Sequence, residues 1–133
     1  MPQNYKYLLI VFGFLYLPFV VPDENSSFQN ISIRSDQVTI DSKTQQLVFI
    51  KNVEIKIDGY VIKGSNAMFS SKDKKLEIYG NPASIQSDEI DGQAETFEIY
   101  PNKSMNLIGN ARLLNKGNSI TSNFITYQII ANE

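Results

Sequence analysis

Cysteine, histidine and tryptophan are absent from this sequence of 133 residues. Without cysteine, the chain has no disulfide, no thiol nucleophile and no zinc–thiolate site. Without histidine, it lacks the commonest general base and the commonest metal ligand of proteins. These absences exclude most designs of hydrolases and metalloenzymes. The composition therefore predicts a binding, transport or structural protein that has no catalytic residues, no metal and no cofactor.

Charge of either sign is also in short supply. Lysine and arginine number 12 and aspartate and glutamate number 14, so the formal net charge is -2. A nucleic-acid-binding domain of this size normally carries a strong excess of basic residues. We therefore expect no DNA or RNA partner. The length fits one small domain and leaves no room for a second hydrophobic core.

The N-terminus carries the longest uncharged run. Lys6 is followed by an apolar segment from Tyr7 to Val21. As a helix, this segment would span roughly 22 Å, which is short of the roughly 30 Å hydrocarbon core of a bilayer. A basic start followed by a short apolar stretch is typical of a secretory signal. We expect residues 1–22 to be an apolar leader helix that acts as a signal peptide or an uncleaved membrane anchor, and the rest of the chain to be exported.

Residues 28–130 show a different pattern, in which apolar and polar residues alternate. Examples are Val53 to Ile57, Leu76 to Ile78 and Phe97 to Ile99. This period of two is typical of strands with one apolar face. Turn signals separate the runs: Asp58-Gly59, Lys63-Gly64, residues 71–75, Asp91-Gly92, Pro101-Asn102 and residues 116–118. The pattern predicts one all-β domain without a helix after the leader.

An internal repeat of 29 residues organises these strands. The hexapeptides that begin at Leu47, Leu76 and Met105 superpose without a gap and end on Asn52, Asn81 and Asn110. Glycine precedes the asparagine in two copies, as Gly80 and Gly109. Gly-Asn pairs favour left-handed or bulged backbone, where a strand bends sharply. We expect three stacked bends, with these asparagines and glycines as strand corners, and hence an open sheet folded over on itself.

These repeats carry a resemblance to a known family. The matching stretches include 31–37, 49–53, Tyr79-Gly80-Asn81-Pro82-Ala83, 92–94, Leu107-Ile108-Gly109-Asn110-Ala111 and 125–127. Over residues 29–127 the chain resembles the LptA (OstA-like) family of lipopolysaccharide-transport proteins. The resemblance implies a β-jellyroll of stacked antiparallel strands, also called a β-taco. It further implies a periplasmic location in a Gram-negative bacterium and binding of the lipid A portion of lipopolysaccharide.

The same resemblance implies partners. Members of this family assemble end to end and join inner-membrane and outer-membrane transport proteins of similar fold. The chain departs from the family pattern at Lys51, which stands where the first corner is expected to have glycine, and in a leader without a clear cleavage site. Two alternatives therefore stay open: a membrane-anchored subunit resembling LptC, and a β-module that forms filaments and binds no lipid.

A folded open sheet leaves two facing apolar rows with a slot between them. We expect these rows to form a continuous groove that takes acyl chains, since each buried methylene is worth about 0.8 kcal/mol. The predicted groove residues are the inward-facing apolar positions of the strands: Ile31, Ile33, Val38, Ile40, Leu47, Phe49, Val53, Ile55, Ile57, Ile62, Phe69, Leu76, Ile78, Ile85, Phe97, Ile99, Leu107, Leu113, Ile120 and Ile125.

Two charged clusters are candidates for binding sites. Asp88, Glu89 and Asp91 match no calcium-loop spacing, so a solvated turn explains them better than a metal site does. Lys72, Lys74 and Lys75 could meet lipid phosphates, although a charged hairpin tip is the commoner cause of such a run.

The ends of an open sheet are unpaired. We expect its two edges near Ile31–Ile33 and near Phe124–Ile130. The second segment has neither charge nor proline, which are the usual means of protecting an edge. It therefore predicts docking by strand addition and end-to-end self-association.

Overall fold

Alternating apolar and polar residues form long antiparallel strands in the computed structural model, which describes residues 14–16, 31–102 and 104–129. The strands are β1 (Phe14–Tyr16), β2 (Ile31–Arg34), β3 (Gln37–Asp41), β4 (Gln46–Ile57), β5 (Tyr60–Ser70), β6 (Lys75–Gln86), β7 (Ile90–Ile99), β8 (Ser104–Asn115) and β9 (Asn118–Gln128). They form one sheet in the order β1-β2-β4-β5-β6-β7-β8-β9, and β3 also pairs with β4. The predicted all-β open sheet is confirmed.

Each strand from β4 to β9 runs through a bend in its middle, where the register of the ladder shifts. The shifts lie between Ile50 and Val53, Lys63 and Asn66, Tyr79 and Ala83, Gln93 and Thr96, and Ile108 and Ala111. The repeat copies therefore lie in single strands of 12 residues, β4, β6 and β8, and not in pairs of short strands. Bulges of this kind bend a strand and increase its twist.

The line of bends divides the sheet into two halves. Half A consists of β3 and of residues 46–50, 66–70, 75–79, 96–99, 104–108 and 124–128. Half B consists of β2 and of residues 53–57, 60–64, 83–86, 90–94, 111–115 and 118–122. All the hairpin tips lie at the ends of the halves that are farthest from the bends.

The core lies between the two halves. Phe49, Ile78 and Phe97 of half A are fully buried, and so are Ile55 and Ile62 of half B. Their neighbours along each strand are more exposed, as expected when one face of a sheet is covered. The described residues form one sheet. The inner faces of its two halves must therefore cover each other.

The predicted corners adopt two different geometries. Lys51 and Asn52 have φ of 70° and 54°, and Gly109 and Asn110 have φ of 87° and 48°. Lysine at the first corner thus adopts the left-handed backbone that glycine adopts at the third. Gly80 and Asn81 do not have positive φ; there the ladder is interrupted from Tyr79 to Ala83, and the Asn81–Pro82 peptide bond is cis.

The side chains of two corner asparagines hold neighbouring strands. Asn52 Nδ2 donates to Asp36 Oδ2 at 2.8 Å, and Asn110 Nδ2 donates to Glu95 Oε2 at 2.7 Å. Hydrogen bonds to a charged acceptor are stronger than neutral ones. Equivalent positions of the repeat therefore make the same kind of contact, one at each side of the sheet.

Two expected turns are strand interiors instead. Lys63-Gly64 lies inside β5, and Asp91-Gly92 lies inside β7. At Gly64 a Cβ atom would lie 2.6 Å from Ile78 Cγ2, and at Gly92 it would lie 3.0 Å from a methyl group of Leu113. Glycine is used at these two positions to make room for packed neighbours, which a pattern of turn residues does not distinguish from a real turn.

The expected leader helix lies mostly outside the described residues. The part that the structure describes, β1, is a strand that pairs with β2 through Phe14 and Arg34, among others. The sheet edge expected at Ile31–Ile33 is therefore wrong in this structure, because β1 covers β2. Within the described ranges, no helix is long and apolar enough to cross a membrane. The other predicted edge is confirmed as β9, the last strand of the sheet.

Candidate lipid-binding groove

Cross-strand register places the inward-facing side chains of half A in two rows. Residues opposite each other on paired strands point to the same face. The row next to the bends comprises Val38, Phe49, Ala67, Ile78, Phe97, Leu107 and Ile125. The second row, on the same inner face but farther from the bends, comprises Ile40, Leu47, Phe69, Leu76, Ile99, Met105 and Tyr127. Each row crosses the whole half from β3 to β9 without a charged residue.

Half B presents a matching surface. Its longest inner row comprises Ile33, Ile55, Ile62, Ile85, Gly92, Leu113 and Ile120. Next to the bends, half B carries small residues, including Ala83, Ala94 and Ala111. Small side chains there let the two halves approach closely, opposite the large residues of half A. The interior is thus apolar from the first strands of the sheet to the last.

The structure brings nearly all predicted groove residues together. Sixteen are buried between the halves: Ile31, Ile33, Phe49, Val53, Ile55, Ile57, Ile62, Phe69, Leu76, Ile78, Ile85, Phe97, Ile99, Leu107, Leu113 and Ile125. Val38, Ile40 and Leu47 are partly buried and pack against that core. Ile120 departs from the prediction: it lies on the inner face of β9 but is 49% exposed. Its strand is the last of the sheet, and half A does not extend over it.

Sequence reasoning missed eight other buried residues. They are Tyr60, Ala67, Ala83, Ile90, Ala94, Met105, Ala111 and Ile129. The alanines and Tyr60 are ambiguous by type, since they occur on both faces of strands. For several of them, a spacing of two from a large apolar residue, as from Ala67 to Phe69 and from Ala83 to Ile85, is the signal that could have identified them.

The interior is closed in this structure. Large residues such as Phe97, Ile85 and Leu107 are fully buried, so the halves are in side-chain contact rather than separated by an open slot. Close-packed interiors have no void large enough for an acyl chain. The predicted groove is therefore a closed seam between the two halves in this structure.

One hydrogen bond crosses this seam. The hydroxyl groups of Tyr60 and Tyr127 lie 3.2 Å apart, and the rings meet edge to face with centroids 6.3 Å apart. Burial, the hydrogen bond to Tyr60 and the charge of Glu89 all raise the pKa of Tyr127. Tyr127 belongs to half A, whereas Tyr60 and the turn that holds Glu89 belong to the tips of half B.

The lysine run at residues 72–75, for which a charged hairpin tip is the favoured interpretation, does not act as one group. Lys75 Nζ lies 3.7 Å from Glu77 and 3.6 Å from Glu98, on the outer face. Desolvation lowers the pKa of Lys75, but the attraction of the two carboxylates outweighs it and the pKa is raised. Lys72 instead lies at a hairpin tip, where it lines an open concavity together with Lys43 of the neighbouring tip.

Two of the three acidic residues, Asp88 and Glu89, lie in the turn between β6 and β7, whereas Asp91 lies inside β7. The Ser87 hydroxyl accepts hydrogen bonds from the backbone nitrogens of Glu89 and Ile90, at 3.1 Å and 3.2 Å. Among residues 31–102 and 104–129, no group of three acidic side chains is placed to hold a metal ion. The interpretation of Asp88 and Glu89 as a solvated turn agrees with this geometry.

Comparison with protein families identifies the fold and its relatives. Residues 32–133 match the family model described as "LptA/(LptD N-terminal domain) LPS transport protein". The chain belongs to this family. It is a family of lipopolysaccharide-transport proteins rather than of enzymes. A comparison with curated proteins finds no sequence match.

A solved structure shows the same fold. It is LptH of Pseudomonas aeruginosa, described as the LptA-homologous periplasmic component of the lipopolysaccharide transport device. The TM-score is 0.66, the sequences are 16% identical, and the match covers 80% of each chain. At this identity the likeness establishes the shared architecture, a sheet folded along a line of bends.

Proposed function

We propose that this protein binds the acyl chains of lipopolysaccharide, in the lipid A portion, between its two halves. In this role it carries or bridges lipopolysaccharide across the periplasm from the inner to the outer membrane, as a transport protein without enzymatic activity. The observation that carries the proposal is the set of uncharged inner rows, which cross the whole sheet from β3 to β9. Family membership supports the same role.

Energetics make the interior a suitable lipid site. An acyl chain of about twelve carbons gains on the order of 10 kcal/mol when fully buried, before the losses of binding. Part of that gain replaces contacts that the halves already make with each other. The net affinity is therefore moderate, which suits a carrier that must also release its cargo.

Photocrosslinking tests the proposed site. A photoreactive residue at Leu47 faces the interior from the accessible end of half A, whereas the same residue at Val48 faces outward. We expect purified lipopolysaccharide to crosslink at Leu47 and not at Val48. Equal crosslinking at both positions, or none at Leu47 in a protein with a native circular dichroism spectrum, would contradict an interior lipid site.

We also propose that copies of the chain, or partners of the same fold in the two membranes, join end to end through β9. The strand ends the sheet, and its segment 124–128 carries no charge and no proline. Strand addition at β9 would continue both rows of half A into the next molecule.

Sedimentation velocity over a range of concentrations tests this assembly. Association should weaken in Thr126→Pro, since proline on an edge strand disfavours pairing. Circular dichroism of the same variant shows whether the monomer stays folded. A wild-type chain that remains monomeric at high concentration, and binds no partner of its own fold, would refute assembly through β9.

The leader bears on localisation. We propose that residues 1–22 direct export to the periplasm and are then removed, rather than kept as an inner-membrane anchor. Removal would take β1 away and leave β2 as an open edge of half B. Mass spectrometry of the exported chain decides between the two: removal lowers the mass by about 2–3 kDa, and an unchanged mass indicates an anchored subunit.

A further inference from the structure

The tyrosine pair occupies a special place in the fold. Tyr60 is the first residue of β5, directly after the turn Asp58-Gly59 at the tip of half B. Tyr127 pairs with Met105 near the end of β9, at the far end of half A. Both residues are therefore remote from the bends. They lie at the free ends of the two halves, which are opposite each other. We call this opening the mouth.

The contact exists only because the sheet is folded. Strands β6, β7 and β8 separate β5 from β9 in the sheet. Four steps of about 4.8 Å would place the two strands roughly 19 Å apart in a flat sheet. A separation of 3.2 Å between the two hydroxyl groups shows that half A crosses over half B here and closes the mouth.

Burial shows that the pair is part of the closure. Tyr60 is 3% exposed, and Ile129, two residues beyond Tyr127, is equally well covered. In contrast, Ile120 on the inner face of the same strand is half exposed, since it lies beyond the cover of half A. Tyr127 itself is partly buried, so the interior is covered more fully where the tyrosines meet than at Ile120, at the other end of β9.

We propose that Tyr60 and Tyr127 form a latch that holds the mouth shut in the lipid-free protein and must break before an acyl chain enters. The latch regulates the lipid site and rests on the proposed function. In the lipid-bound protein, the acyl chain keeps the two halves apart and the hydroxyl groups of Tyr60 and Tyr127 separated. The hydrogen bond then stabilises the empty state alone, which protects the apolar interior from water while no lipid is bound.

The proposal makes a kinetic prediction. A hydrogen bond made only in the closed, empty state slows lipid entry by the free energy of that bond. A typical net value of about 0.5–1.4 kcal/mol corresponds to a factor of two to ten. Tyr60→Phe and Tyr127→Phe should therefore bind fluorescently labelled lipopolysaccharide two to ten times faster, with unchanged dissociation rates and correspondingly lower Kd.

Tyr100→Phe is the matched control. Its hydroxyl group also donates a hydrogen bond, to Glu98 Oε1 at 3.2 Å, but on the outer face. Stopped-flow measurements on Tyr127→Phe and Tyr100→Phe compare the loss of one hydroxyl inside and outside the mouth. A merely structural role of Tyr127 would lower the unfolding midpoint without accelerating association. Equal association rates in the wild type and Tyr127→Phe would overturn the latch.

A covalent latch provides the second test. The chain has no cysteine, so Tyr60→Cys/Tyr127→Cys carries the only two thiols. Joining them with a short bismaleimide should reduce lipopolysaccharide binding far below that of the same variant before the reaction. A control crosslink between Ser104→Cys and Gln128→Cys joins neighbouring strands of half A and does not span the mouth. It should leave binding intact.

The outcomes separate the two proposals. If the wild type and both unreacted variants bind no lipopolysaccharide, the proposed function fails and the latch with it. If the protein binds lipopolysaccharide and the crosslink across the mouth has no effect, the lipid site stands and the latch is wrong. Loss of binding with the mouth crosslink alone supports the latch.

Discussion

Two phenylalanines in this protein differ mainly in which face of the sheet they occupy. Phe97 lies in the middle of the row next to the bends in half A, between Ile78 and Leu107, and is fully buried. Phe124 lies on the outer face of β9 and is 54% exposed. Replacing each with alanine removes the same atoms, so the difference in stability measures what closure of the two halves contributes.

The expected magnitudes follow from burial. Truncation of a fully buried phenylalanine loses its transfer free energy and leaves a cavity, which together destabilise by about 3–5 kcal/mol. A half-exposed phenylalanine on an edge strand loses less than about 1 kcal/mol by the same reasoning. Since small domains are stable by only about 5–15 kcal/mol, Phe97→Ala should remove a large share of the total.

Urea unfolding is the assay. Circular dichroism near 217 nm and tyrosine fluorescence report the sheet, because the chain has no tryptophan. The unfolding midpoint of Phe97→Ala should fall far below that of Phe124→Ala, with similar slopes. If the two variants unfold at the same midpoint, the halves are not packed on each other in the lipid-free protein, and the closed seam is refuted.

Three further predictions concern the corners and the latch. Gly109→Val should be about 1 kcal/mol less stable than Gly117→Val in urea unfolding; both have positive φ, but a side chain at Gly109 displaces Glu95 from its hydrogen bond, whereas one at Gly117 meets nothing within 4 Å. Asn110→Ala should lower the free energy of unfolding by about 1–2 kcal/mol, since alanine tolerates φ of 48° poorly and makes no bond to Glu95, and no change would show that the corner is adaptable. Burial raises the pKa of Tyr127, so the folded state favours its neutral hydroxyl; the contribution of this group to stability should be complete below about pH 10 and decline as the pH rises further, and comparison of Tyr127→Phe with the wild type at about pH 8 and 11 should show a smaller decline in the variant.

The predictions from sequence were most accurate for the sheet face. Alternation with a period of two assigned residues such as Phe49, Ile78 and Phe97 to the inner face, because successive side chains of a strand must point to opposite sides. The repeat located the bends at Asn52, Asn81 and Asn110, although only Gly109-Asn110 combines a Gly-Asn sequence with positive φ. Local chemistry is enough for the face assignment and explains one of the three corners.

Local patterns were misleading where tertiary packing decides the role of a residue. Gly64 and Gly92 were predicted to lie in turns, but they lie inside strands where a side chain would collide with Ile78 or Leu113. Ile120 has the periodicity of a core residue and is half exposed, because burial depends on whether half A reaches over it. The residues adjacent in sequence show neither that a side chain at a glycine would collide with a packed neighbour nor that the other half of the sheet covers a given side chain.

The sequence by itself determined an all-β domain whose strands have one apolar face and bend at regular intervals. Only the tertiary structure decided that the bent halves close on each other, and which residues meet when they do. Tyr60 and Tyr127 are 67 residues apart and three strands intervene between theirs, so no local signal relates them. Their contact depends on the summed twist and bend of every strand between them, a quantity that belongs to the whole sheet.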